Sequence, residues 1–305
     1  MHKLCFNLSA IAPFRLDLTV WALKRRGRNI VDQWNGTCYT RVFIIKNSPI
    51  KVEVEQKKGE PEISVVAYTH HPFADLQLQI SHLLNIILGL RIDLRWFYKL
   101  TKHDKVLHPL VMKYKGVKPP RLPSIFETLV NAVAFQQFSL EAGFSLLNNL
   151  TVKYGKPFRE QGSVCYAFPD PGEIMNSTIK ELMSIGFSQN KSKALVLIAS
   201  TIFHHEESFS GLDELPNEDV IQLLSNFKGI GRWSAEYTLL RGLGRTEILP
   251  GDDVGIRKSL VQLLSLQKKP DYNKIKEIEK KWYPYAGLIY FHILLRKLSE
   301  NKIIN

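Results

Sequence analysis

The sequence predicts two parts. Residues 1–117 read as a mixed α+β N-terminal domain, a small antiparallel sheet with a helix, and residues 118–305 as an all-α domain. Three observations carry this. Alternating or β-branched apolar runs lie before residue 70. A stretch with three prolines, Gly116 to Pro123, then breaks the pattern. Beyond it, apolar residues repeat at helical spacing almost to the C-terminus.

Taken in order, Arg15–Trp21 alternates with period two, and Thr40–Ile45 is β-branched and apolar. Ile50–Val54 alternates again, and Ile63–Tyr68 is a fourth candidate strand. Asn47-Ser48-Pro49 and Lys58-Gly59-Glu60-Pro61 supply turns. Leu76–Leu90 reads as a helix with Leu76, Ile80, Leu83, Leu84 and Ile87 on one face. Gly116–Pro123 reads as a linker. Ser124-Ile125-Phe126-Glu127 is a capping box for a helix running to Phe135. Gln136-Gln137-Phe138-Ser139 interrupts it, and Ser139 caps the next helix, which stops at Gly155. Phe168–Gly186 gives a loop and a helix, and Ser188 opens a long helix to about His205. Tyr272–Trp282 is amphipathic and charged, and Pro284 suits the start of the last helix.

The length allows ample core, and 45% apolar residues fit a globular chain. Lys+Arg exceed Asp+Glu by 12 (41 − 29), a surplus that suits an anionic polymer. Cys5, Cys38 and Cys165 are odd in number and far apart, which fits neither a disulfide framework nor a zinc site and points to a reducing compartment. The N-terminus lacks a signal-peptide pattern, and the longest apolar runs are too short or interrupted to span a bilayer. The expectation is a soluble protein without a membrane partner.

The stretch Leu223–Leu260 holds the strongest local signals. Asn217–Asn226 reads as a helix, broken by Phe227-Lys228-Gly229-Ile230-Gly231. Two glycines flanking one apolar residue permit positive φ on both sides, with Ile230 pointing inward as an anchor. From Arg232 the pattern is helical again, with Ala235, Leu239 and Leu240 in register. The first amides of that helix lack intrahelical partners and favour an anion, and a phosphate can come close where no side chain stands. The plain alternative is an ordinary corner between helices. Leu249-Pro250-Gly251-Asp252-Asp253 follows, with Asp253 twenty residues beyond Trp233 (253 − 233) and a new helix over Val254–Leu264. One aspartate can cap that helix while the other faces elsewhere.

F-K-G-I-G-R-W-S-A followed by L-P-G-D-D-V-G-I-R-K resembles the helix–hairpin–helix plus Gly/Pro-Asp signature of the base-excision DNA glycosylases, and is most similar to the AlkA-type 3-methyladenine DNA glycosylase II branch. The resemblance spans roughly Ser124 to Arg296 and includes the segment G-F-S-x-x-K-x-x-A. It implies that Asp253 is the catalytic carboxylate. It implies that Gln136 and Gln137 lie on a loop facing DNA, with Gln137 where a side chain wedges into the gap left by an extruded base. Lys228, Gly229, Ile230, Gly231 and Arg232 would hold the DNA backbone. Trp233, Tyr237 and Tyr285 would offer the π-faces of the base pocket. W-x-P-Y-x-G-L is similar to the family's W-x-P-W/Y-R-x-x-A element but lacks its arginine. The hairpin carbonyls of Ser225, Phe227 and Ile230 would be the place for a sodium or potassium ion. The implied partner is double-stranded DNA carrying damaged bases, bound by a monomer, in a prokaryotic nucleoid or a eukaryotic nucleus.

The bond between a base and C1′ is hidden in the duplex, so the nucleotide must be swung out. Alkylation at N3 or N7 makes a purine cationic, which favours an aromatic face and makes the base a good leaving group. Scission builds oxocarbenium character that a carboxylate stabilises. Glycosylase/lyases of this superfamily carry a lysine where this chain has Trp233, and a Schiff base needs an amine. The expectation is therefore monofunctional hydrolysis. Clustered cysteines are absent, so no iron–sulfur cluster is expected. The rival readings are a bifunctional 8-oxoguanine-type glycosylase/lyase and a non-catalytic hairpin DNA-binding protein.

Overall fold

The computed structural model describes residues 1–304 except 161, 206, 208 and 210. Five strands, β1 (His2–Ser9), β2 (Gln33–Trp34), β3 (Cys38–Ile45), β4 (Ser48–Gln56) and β5 (Glu62–Thr69), form an antiparallel sheet in the order β1-β5-β4-β3-β2. Lys46 and Asn47 turn β3 into β4 in the left-handed region (φ 47° and 64°), the conformation a two-residue hairpin needs. Alternation then sorts the faces: Ile50, Val52 and Val54 of β4 and Ile63, Val65 and Ala67 of β5 are buried. Helix α2 (Leu76–Ile87) closes this core with Leu76, Ile80, Leu84 and Ile87.

The segment Arg15–Trp21, expected as a strand, is instead helix α1 (Leu16–Lys24). Leu16, Val20 and Leu23 enter the core under the sheet, while Leu18 and Ala22 enter a second core made by the last helices. A helix buried on both sides has no single apolar stripe, and its alternation mimics a strand. β1, which the pattern did not reveal, forms the sheet edge beside β5.

The remaining helices are α3 (Arg95–Thr101), α4 (Leu107–Lys113), α5 (Ile125–Phe135), α6 (Leu140–Tyr154), α7 (Pro171–Met175), α8 (Ile179–Ser184), α9 (Gln189–His204), α10 (Asn217–Ser225), α11 (Arg232–Arg241), α12 (Val254–Leu263), α13 (Tyr272–Trp282) and α14 (Ala286–Glu300). A short hairpin, β6 (Pro157–Glu160) and β7 (Ser163–Tyr166), interrupts the stretch expected to be helical. Gly116–Pro123 is irregular as expected of a linker, yet most of it is buried, and the Lys118 ammonium donates to the Ile92 carbonyl (2.5 Å). The cores cross this stretch: α3 and α4 pack with α12, α13 and α14, while Leu122, Ala132 and Tyr237 pack under the sheet.

Ser124 caps α5, accepting the Glu127 N–H at 3.1 Å, but the expected capping box does not close. The Glu127 carboxylate turns instead to Arg41 of β3 (2.5 Å), whose guanidinium also holds Asp32 (2.7 Å). Tyr39 donates to the same Asp32 oxygen (2.8 Å). This buried cluster ties the sheet to α5, the helix that ends at the Gln136–Ser139 loop. Burial pushes the Glu127 carboxyl above the usual carboxylate range despite Arg41.

His292 of α14 is wholly buried, with Nδ1 on the Leu288 carbonyl (2.8 Å) and Nε2 without a partner. Burial lowers its pKa to about 4. The unfolded chain takes a proton near pH 6.5 that the folded chain refuses until about 4. Stability is thus expected to fall by up to about 3 kcal/mol as pH drops through that window. His292→Leu should flatten this limb, read by urea unfolding at pH 7 and pH 4.5; an unchanged slope would mean another group sets it.

Candidate active site

The site begins with the corner between α10 and α11. Gly229 sits at φ +98°, and a Cβ there would meet the Ala194 Cβ of α9 at 2.8 Å. Gly231 differs from expectation: its backbone is extended (φ −100°, ψ 176°), and a Cβ would find nothing within 4 Å. Only one of the two glycines serves the turn. The other leaves open space at the N-terminus of α11. Ile230 is buried, as expected of the anchor, and its N–H bonds the Phe227 carbonyl (2.9 Å). The N–H groups of Gly231, Arg232 and Trp233 have no acceptor among the described residues. This separates two substitutions. Gly229→Ala is expected to destabilise the fold by roughly 1–3 kcal/mol through backbone strain and the α9 clash. Gly231→Ala should leave thermal stability unchanged and weaken binding to undamaged duplex about tenfold. Equal DNA affinity in Gly231→Ala would show that nothing approaches there.

The α5–α6 loop is fastened to this corner. Gln136 donates from Nε2 to the Gly229 carbonyl and to Ser234 Oγ, both at 2.8 Å. Both Nε2 hydrogens of Gln136 are thus committed, and its amide is a strut between two loops. Gln137 is exposed, in the left-handed region at φ +57°, and its side chain bonds nothing among the described residues. Lys191 of α9 donates to the carbonyls of Ala134 (3.1 Å) and Gln136 (2.7 Å) and sits 3.8 Å above the Phe138 ring. Lys228 is exposed. Arg232 is not a free DNA ligand: it holds Asp252 (2.7 Å) and stacks 3.6 Å from the Tyr272 ring, leaving its backbone N–H as the group at the corner.

Asp252 and Asp253 divide their work differently from the expectation. Asp253 itself caps α12, with Oδ1 accepting the Ile256 N–H at 2.9 Å. Its other oxygen, Oδ2, faces the indole N–H of Trp233 at 3.4 Å. Asp252 is spent on Arg232 and Arg257 (2.6 Å). Arg257 also donates to the Gly251 carbonyl (2.7 Å), so the whole loop is braced.

Asp253 and Trp233 border a cavity of about 560 Å³, with Arg25, Phe135, Tyr290 and Lys297 among its other walls. Gln136, Gln137 and Phe138 stand at one rim, and Asp252, Val254 and Gly255 at another. Two expected pocket residues do not line it. Tyr237 lies behind Trp233 (ring centroids 5.4 Å apart) and is buried, its hydroxyl accepting from Arg25 (3.3 Å). Tyr285 precedes α14 and packs against Phe97 (5.7 Å) in the core with α3. Tyr290, whose helix face also carries Ile293, Leu294 and Lys297, stands there instead.

Sequence reasoning missed Arg25. It lies in the run Lys24-Arg25-Arg26-Gly27-Arg28, which reads as a solvated basic patch. The structure buries Lys24 and Arg25 and pairs Arg26 and Arg28 with Glu141. Burial works against the Arg25 charge, but Tyr237, Tyr290 and Asp253 hold its pKa above the ordinary arginine range. Chemically, the site offers an aromatic wall, one carboxylate oxygen fixed at its edge, and free amides at a nearby helix end. The described residues hold no cluster of His, Cys, Asp and Glu suited to a metal.

The model of the HhH-GPD superfamily base excision DNA repair proteins matches residues 130–285. The DNA-3-methyladenine glycosylase of Bacillus subtilis is 30% identical over 264 residues, covering 83% of this chain and 81% of that protein. The 3-methyladenine DNA glycosylase of Archaeoglobus fulgidus has the same fold, with a TM-score of 0.83 at 23% identity over 95% of this chain and 97% of that one. The Mag1 3-methyladenine DNA glycosylase of Schizosaccharomyces pombe, solved with abasic DNA, is 27% identical with a TM-score of 0.54 over 65% of this chain and 95% of its own. A glycine turn that leaves open space at a helix N-terminus, an aspartate beside a tryptophan-walled cavity and these likenesses agree, and the chain belongs to the HhH-GPD superfamily of base excision DNA repair proteins.

Proposed function

We propose that this protein is a monofunctional DNA glycosylase that takes an alkylated base from double-stranded DNA into the Trp233 cavity and hydrolyses its N-glycosidic bond. The observation that carries the reading is the placement of Asp253. Its Oδ1 is locked by the helix cap, so Oδ2 keeps a fixed position at the cavity edge beside Trp233. A pre-oriented charge needs no reorganisation as the sugar becomes cationic, which is where electrostatic stabilisation is largest.

In this reading the N–H groups at Gly231–Trp233 bind a phosphate, Gln137 enters the gap in the stack, and the base rests against Trp233. The C1′–N bond breaks with its electron pair leaving on the base. An alkylated purine departs neutral, and water adds to C1′, giving up a proton to Asp253 and then to solvent, to leave an abasic site. Asp253 stabilises the oxocarbenium and holds the attacking water. Position 233 offers no amine for a Schiff base. A monovalent cation on the carbonyls of Ser225, Phe227 and Ile230 fits in one respect: the Phe227 carbonyl accepts a single N–H and keeps a lone pair. It would brace the turn, and no step depends on it.

A lyase reading has one observation behind it, since Lys297 lines the same cavity. Incubation with methylated duplex, with and without borohydride, tests both. Free 3-methyladenine with no trapped adduct is expected. An adduct abolished by Lys297→Arg would establish the lyase, and binding without base release would leave only a DNA-binding protein.

A further inference from the structure

One stretch of the chain takes no part in the proposed hydrolysis, yet it carries half of the molecule's charge surplus. Residues 91–118 hold eight Lys and Arg against two Asp, a net +6 (8 − 2), where the whole chain has +12. The two helices of this stretch, α3 and α4, pack on one side of α14. The Phe97 ring of α3 lies against Tyr285 and His292 (centroids 5.7 and 5.2 Å apart), and Lys113 of α4 donates to Ser299 Oγ (3.3 Å). With about 3.6 residues per turn, positions 285, 292 and 299 fall roughly opposite Tyr290, Ile293, Leu294 and Lys297, which line the cavity. The outer face of α3 and α4 therefore lies across α14 from the site of base release.

On that face Arg91, Lys99, Lys102, Lys105 and Lys115 are exposed, and none has an ion-pair partner among the described residues. Both aspartates are committed: Asp93 holds Arg95 (2.6 Å), and Asp104 Oδ1 accepts the N–H groups of Val106 and Leu107 (2.8 Å each). Amid the cations Trp96 is 62% exposed and Leu100, one turn on, 44%. The Lys99 ammonium lies 4.6 Å from the Trp96 ring centroid. An indole left in water forgoes the stabilisation of burial, and clustered like charges repel one another. A polyanion that carries flat rings relieves both. Nucleic acid is such a polyanion: its phosphates displace counterions from lysines, and a base stacks on an aromatic face. A duplex offers the phosphates but keeps its base faces stacked inside. An acidic protein segment offers charge but seats its anchors in pockets, whereas here the apolar side chains stand out from the surface. We infer that the α3–α4 face is a second nucleic-acid surface, separate from the cavity and the 229–231 corner. It takes a single strand, with phosphates on Lys99, Lys102 and Lys105 and a base on Trp96, so that one molecule holds a duplex and a single strand together.

The test reads the fluorescence anisotropy of a labelled oligothymidylate added to protein already saturated with a short undamaged duplex. Wild type is expected to bind the strand and keep the duplex. The triple variant Lys99→Gln, Lys102→Gln, Lys105→Gln should bind the strand at least about tenfold more weakly. Its log affinity should also fall less steeply with log salt, by roughly 2 in slope, about 0.7 for each of three phosphate contacts. Arginine at the same three positions should keep the wild-type affinity. Trp96→Ala should weaken strand binding about fivefold or more through lost stacking, with the salt dependence unchanged. Base release from a short methylated duplex and thermal unfolding should match wild type in every variant, since none of these side chains lines the cavity. Displacement of the duplex by the strand would show one shared site and overturn the inference, as would wild-type strand affinity in the triple Lys→Gln variant. Unchanged affinity in Trp96→Ala would overturn the single-strand assignment. Polyglutamate that competes with the labelled strand better than unlabelled oligothymidylate does would give the face to an acidic protein instead. Wild type that binds both nucleic acids but releases no base would remove the glycosylase reading and leave this surface standing.

Discussion

Asp253→Asn is expected to cut base release by about 10²- to 10³-fold while DNA binding and thermal stability stay near wild type. The two oxygens of Asp253 have separate tasks. Oδ1 caps α12 through the Ile256 N–H, and asparagine caps a helix as well as aspartate. Oδ2 faces the cavity and Trp233, and only there does the negative charge matter. Asp253→Ala should lose the activity and also about 1 kcal/mol of stability, because the cap goes with it. Single-turnover assays on methylated duplex, paired with thermal unfolding of both variants, separate the two tasks. Undiminished turnover in Asp253→Asn would remove Asp253 from the chemistry.

Arg41→Met is expected to destabilise the fold by about 3–5 kcal/mol at pH 7, the largest stability effect of any single change considered. Arg41 lies between Asp32 and Glu127 in a site where all three are buried. Without it, two carboxylates share a dry interior with their cation gone. Burial already raises Glu127 above its ordinary range, and losing Arg41 raises it further. A carboxyl whose folded pKa exceeds its unfolded one binds more protons when folded, so stability is regained as pH falls toward the folded value. The gap between Arg41→Met and wild type should therefore narrow from pH 7 to pH 5 in urea titrations. A gap independent of pH would locate the cost in lost packing.

The two results bear on one another through α5. The Arg41 cluster anchors the start of that helix to β3, and Lys191 holds its last carbonyls and the loop carrying Gln137. The sheet thus contributes to the active site by fixing the helix from which the rim projects.

Features whose causes are local can be read from the residues directly. The corner at 229–231, the Asp252-Asp253 loop, the caps at Ser124, Ser139 and Ser188, and the span Tyr272–Trp282 were all legible, because glycine, proline and capping side chains act within a few residues of themselves. The remaining features have partners far away in the chain. The Arg15–Trp21 stretch became a helix because two cores bury it from opposite sides. The Glu127 carboxylate left its capping box for an arginine 86 residues earlier. Tyr290 rather than Tyr285 lines the cavity, and Arg25 supplies its floor from a helix more than 200 residues away from Trp233 and Asp253. Such placements follow from how whole elements pack, and no window of sequence contains both sides of the contact.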